Sequence, residues 1–114
     1  MNFDDLKPLQ EYLVVIEDTI LNSYDFSRVY CFCFLKLKEK HSPFTNSECA
    51  KLLKMDELKS WKYLKKLITA GFLKKIVSRG SAKNTNSHLY IPQQKHFNNK
   101  VFFEKVELKI KGGI

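Results

Sequence analysis

The sequence predicts a mainly helical domain with one small β-hairpin, and three observations carry the prediction. Apolar residues between Leu6 and Ile20 recur at helical spacing. Two capping signals, at Thr45 and Asp56, each open a further helix, and the second of these runs out at Gly71. Beyond that glycine, Phe72–Val77 and His88–Ile91 are rich in β-branched and aromatic residues. They flank a stretch, Ser78–Ser87, of small, polar and basic residues, the pattern of two strands joined by a loop.

Taken in order, Leu6, Leu9, Leu13, Ile16 and Ile20 form one stripe of a first helix. Asp4 and Asp5 complement its N-terminal dipole, and Pro8 falls in the tolerant first turn. Tyr12, Val14, Val15 and Leu21 lie off the stripe, so this helix is expected to bury a second face. The connection Asn22–Asp25 follows, with Asp25 or Ser27 as the expected N-cap. Residues 28–40 are two-sided. Val29–Phe34 has strand composition, whereas Tyr30, Cys33, Phe34 and Leu37 fit a helical face, and the run continues to Lys40 without turn residues, which favours helix. His41-Ser42-Pro43-Phe44 breaks it.

Thr45-Asn46-Ser47-Glu48 has the form of a capping box. The short helix behind it is expected to turn Cys49, Leu52 and Leu53 inward beside the small Ala50. Asp56 caps a further helix to Ala70, with Ser60, Leu64, Leu67 and Gly71 inward and Ile68 beside them. The hairpin then ends at Pro92. In the tail, Lys105–Lys111 alternates strictly and is expected to be a strand, although Phe103, Val106 and Ile110 also suit a helix.

Composition narrows the function classes. With 114 residues, 44% hydrophobic and 28% charged, the chain suits one folded domain rather than a disordered segment. Its expected organisation is an N-terminal helix over 1–24, a central unit over 25–92 and an extension over 93–114. The apolar run Val29–Leu35 is closed by Arg28 and Lys36 at seven residues, against the ~20 a membrane span needs. The acidic start carries no export signal, and three cysteines then read as reduced thiols in a cytoplasmic protein. Cys31 and Cys33 would point ~200° apart on a helix and share no chelating spacing with Cys49, His41, His88 or His96, so no metal or other cofactor is expected. No phosphate loop, nucleophile elbow or zinc-protease motif occurs, so an enzyme is not expected.

Charge is unevenly distributed. Residues 1–50 carry five Lys/Arg against eight acids, residues 51–83 carry ten against two, and residues 84–114 carry five against two. The central third therefore holds a balance of +8, equal to that of the whole chain. Such a block attracts polyanions, nucleic acid foremost, unless it is simply a solvated lysine face.

Two helices joined by a tight turn, the second leading through a glycine into a basic hairpin, give the stretch from Thr45 to Leu73 its character. Over about residues 28–92 the chain resembles the winged helix-turn-helix family of DNA-binding proteins. Ala50, Leu64, Leu67 and Gly71 fall where that family has a close-packing alanine, the recognition-helix leucines and the terminal glycine. Lys54 stands where a turn glycine is common, and Ser60 replaces the usual branched aliphatic residue. The resemblance implies that residues 56–70 form a recognition helix entering the major groove and that 78–87 form a basic wing.

Lys59 and Lys62 are then placed for base edges or phosphates, and Lys65 and Lys66 for phosphate. Tyr63 flanks them, and Trp61 and Tyr63 each either stack on a base or cover core or an interface. Arg79 and Lys83 occupy the wing tip, while the backbone amides from Thr45 through Asn46 to Ser47 offer a phosphate site. The expected function is DNA binding in transcriptional control by a homodimer that uses the first helix as its interface, with no membrane partner. Two alternatives remain, a replication accessory or initiator module for duplex or single-stranded DNA, and a winged helix used only for protein docking.

Overall fold

The computed structural model describes residues 3–40, 42–79, 86–97 and 99–112. Helix α1 (Phe3–Asn22) leads into α2 (Tyr24–Lys38) through a single residue, Ser23, and this residue is the N-cap of α2. Its hydroxyl accepts the Phe26 amide at 3.2 Å. The expected caps take other roles. Asp25 lies in the first turn, and the buried Ser27 hydroxyl donates to the Ile20 carbonyl, tying the two helices together.

Helix α2 is the centre of the core. Phe26, Ser27, Val29, Tyr30, Phe32, Cys33 and Phe34 are all buried, and residues spread around most of a helix's circumference can be buried only if neighbours surround it. That explains why its sequence read ambiguously: with several faces covered, the polar half of the helical repeat is missing. On α1, Ile16 and Ile20 are buried, as their stripe predicts, while the side chains of Leu6 and Leu9 lie outside those described.

Helix α3 (Asn46–Leu53) starts at the Thr45 cap, whose hydroxyl accepts the Glu48 amide at 3.1 Å. Cys49 and Ala50 are buried, but Leu52 is 69% exposed rather than inward; Leu53 alone of the pair packs against the core. Lys54 ends α3 in the left-handed conformation, φ 52°, and its amide and that of Met55 close onto α3 carbonyls. The turn the sequence predicts is therefore made with a lysine where glycine costs less. Helix α4 (Glu57–Thr69) follows the Asp56 cap and buries Ser60, Leu64 and Leu67; Gly71, at φ 88°, turns the chain away.

Strands β1 (Leu73–Arg79) and β2 (Asn86–Pro92) pair antiparallel from Leu73 opposite Pro92 to Arg79 opposite Asn86. The paired ladder thus runs deeper into 78–87 than the expected loop. Phe44 adds a bridge to Tyr90 through two backbone hydrogen bonds, 3.1 and 2.8 Å, fastening the segment before α3 to the hairpin. After a short helix α5 (Gln94–Phe97), the tail forms helix α6 (Lys100–Gly112), not a strand. Asn99 caps it by accepting the Phe102 amide at 3.1 Å. The helical alternative wins because it buries Phe102 and Val106 on one face and stacks Phe103 on Phe34, ring centroids 4.0 Å apart. Tyr30 meets Phe72, Phe97 and Phe102 edge-on or stacked, so hairpin base, α5 and α6 converge on α2. The described chain is mainly helical, with one two-stranded hairpin, and no described helix is long and apolar enough to cross a membrane.

Candidate nucleic-acid interface

The outward arc of α4 is set by its buried one. Ser60, Leu64 and Leu67 fix one side at a spacing of four and three residues, which turns Leu58, Lys59, Trp61, Lys62, Lys65 and Lys66 to solvent. Lys59, Trp61, Lys62, Lys65 and Lys66, with part of Tyr63, surround a shallow concavity of about 520 Å³ that no acidic side chain lines. Trp61 is 41% exposed, and the Lys65 ammonium lies 5.1 Å from its ring centroid, an attractive cation–π distance. Lys62, Lys65 and Lys66 make no ion pair among the described residues. Their positive charge is therefore uncompensated and available to a polyanion.

Two expected members of the face also make contacts with α2. Tyr63 is a packing residue: its ring stacks on Phe26 at 4.8 Å and 18°, and its hydroxyl lies 3.5 Å from that of Ser23. One face of the ring is thereby taken up by Phe26. Its position beside Leu67 on the helical wheel, at the edge of the buried arc, was the signal. Lys59 is paired, its ammonium donating to the Asp25 carboxylate from α2, and this bond pushes its pKa up. The Lys66 ammonium lies 6.0 Å from the Phe26 ring centroid. Leu58, which sequence reasoning passed over, is 59% exposed near the helix start. An apolar side chain there suits a thymine methyl.

Thr45 and Asn46 serve the fold. Thr45 caps α3, and the Asn46 amide nitrogen donates to the Glu57 carbonyl at 2.9 Å, locking the start of α3 to the start of α4. Arg79 ends β1 with its side chain outside those described, and Lys83 lies outside the described residues.

The thiols contribute no chemistry to this face. Cys31, Cys33 and Cys49 are free; burial pushes Cys31 up to about 11 and raises Cys33 and Cys49 as well, which keeps them protonated and poorly nucleophilic. Among the described residues no group of three or more His, Cys, Asp or Glu side chains is arranged to hold a metal ion. Comparison of the chain with protein-family models, with curated proteins and with solved structures found no match.

Proposed function

We propose that the chain is a winged helix-turn-helix protein that binds duplex DNA, with α4 as the recognition helix and the β1–β2 hairpin as the wing, acting as a small transcriptional regulator. The observation that carries the reading is the α4 face: Lys62, Lys65 and Lys66, in no ion pair among the described residues, around an exposed Trp61, on a helix that a capped partner helix, a tight turn and a hairpin hold in place. Phosphate contacts by Lys62, Lys65 and Lys66 supply affinity, while Lys62 and Leu58, nearer the helix start, are the candidates for base edges. Duplex is favoured over single strands because Tyr63 is engaged with Phe26, leaving Trp61 as the exposed ring of the concavity. Single-strand sites stack successive bases on several rings.

The test is selection from a random duplex pool beside a single-stranded pool, followed by titration across salt. For roughly 4–8 phosphates neutralised, log K falls against log salt with a slope of about −4 to −7. Preference for the single-stranded pool supports the replication reading, and a flat salt profile supports a protein-docking module.

Dimerisation through α1 belongs to the same proposal. Of the residues off its stripe, Tyr12 and Leu21 pack against the chain's own core, while Val14 and Val15 are exposed. Val14 shares a surface concavity with Val101 of α6. Sedimentation at tens of micromolar separates a dimer from a monomer in which α1 only covers α2.

A further inference from the structure

We propose that Lys59 and Arg28 form a phosphodiester-binding subsite where α2 meets α4, and that the Asp25 carboxylate occupies it in the free protein. The inference rests on the DNA reading above. One oxygen of Asp25 accepts from the Lys59 ammonium, and the other lies 3.6 Å from the Arg28 guanidinium. The remaining arm of Arg28 donates to the Leu53 carbonyl at the end of α3, which holds the guanidinium in place whether or not the carboxylate is there. A carboxylate bridging an ammonium and a guanidinium presents the charge and oxygen geometry of a phosphate.

Three features make Asp25 a displaceable occupant rather than a brace. Its side chain is 29% exposed, Arg28 27% and Lys59 49%, so water and ions reach all three, and exposed pairs of this kind are weak. The α2–α4 contact is already secured by the Tyr63–Phe26 stack and by the buried Leu64 and Leu67. Lastly, Lys59 borders the concavity that also holds Lys62, Lys65 and Lys66, so a phosphate backbone lying along α4 arrives beside the pair with its own charge already attracted there.

The consequence is a brake on affinity. The cost of displacing the carboxylate enters every complex whose phosphate backbone fills the subsite, so Asp25 lowers affinity for all such duplexes by the same factor and makes binding less sensitive to salt.

Fluorescence anisotropy with a mixed-sequence duplex tests this, using the full chain, Asp25→Asn, Asp25→Glu and Asp25→Asn combined with Lys59→Ala, across about 50 to 300 mM salt. Asp25→Asn should tighten binding roughly three- to tenfold near 100 mM and steepen the log–log slope by about 1. Asp25→Glu should keep the wild-type slope, and Lys59→Ala in the Asn background should remove the gain. Asp25→Ser, also suited to a helix start, replaces the Asn form if circular dichroism finds that form unfolded. A folded neutral variant with unchanged slope and affinity, while the wild type binds, overturns the subsite alone. No binding by wild type or variant at the lowest salt overturns the DNA reading, and the subsite with it.

Discussion

Helices α4 and α6 are near twins in composition and opposites in use. Each is 13 residues long and carries four lysines, and their charged residues differ only in one glutamate for α4 against two for α6. In α4 the lysines share one arc with no carboxylate of their own helix between them. Only Lys59 is paired among the described residues, and its partner comes from α2. In α6 the lysines alternate with Glu104 and Glu107; Lys111 pairs with Glu107 at 3.2 Å, and Lys105 lowers the pKa of Glu17 across the contact with α1. The arrangement of charge, not its amount, distinguishes a surface that attracts a polyanion from one that is merely solvated. The +8 of the chain is informative only once it is located on α4.

The largest effects would come from attacking what the two helices share, a buried face. Phe102→Ala in α6 and Leu64→Ala in α4 should each cost about 2–5 kcal/mol in urea unfolding, since both residues are 5% exposed or less. If Phe102→Ala unfolds with the wild-type midpoint, α6 is an appendage and the comparison fails. Next comes the charge itself. Replacing Lys62, Lys65 and Lys66 together by alanine should lower duplex affinity about 10²- to 10³-fold and flatten the salt slope by about 3. Replacing Lys100, Lys105 and Lys109 should change either quantity by far less. Equal losses from the two triples, read in the same anisotropy titration, would mean that net charge alone governs binding.

Smaller effects sharpen the comparison at the helix starts. Asp56→Ala removes the cap of α4 and Asn99→Ala that of α6, each costing about 0.5–2 kcal/mol. Only the first should also weaken DNA binding, because only α4 carries the proposed interface. The smallest effect concerns Glu17, whose pKa is raised by burial and partly brought back by Lys105. A raised carboxyl binds protons more tightly in the folded chain, so its unfavourable contribution develops as pH rises from its ordinary value through its folded one. Glu17→Gln should accordingly gain about 0.5 kcal/mol or less at pH 7 and nothing at pH 3. A loss at pH 7 in thermal melts would show that attraction to Lys105 outweighs burial.

Much of the proposed interface was legible because its determinants are local. A threonine or aspartate before a helix satisfies that helix's own amides, the spacing of Ser60, Leu64 and Leu67 selects the buried arc, and the complement of that arc is the lysine face. Trp61 was correctly placed as partly exposed by the same geometry. For Tyr63 the sequence left base stacking and core cover both open, because a residue at the edge of the arc is assigned by whatever stands opposite, here Phe26 from 37 positions earlier in the chain.

The sequence by itself determined where α3 and α4 begin, the tight turn between them, the glycine that ends the pair, the antiparallel hairpin and the concentration of positive charge over residues 51–83. Each follows from interactions within a few residues, whose energies do not wait for the rest of the fold. The tertiary structure decided the remainder: that 100–112 is a helix against Phe34 rather than a strand, that Leu52 faces water, and that Lys59 meets a carboxylate 34 positions away. These outcomes depend on which surfaces come together around α2. Alternation and helical spacing were both written into the tail, and burial of Phe102 and Val106 decided between them.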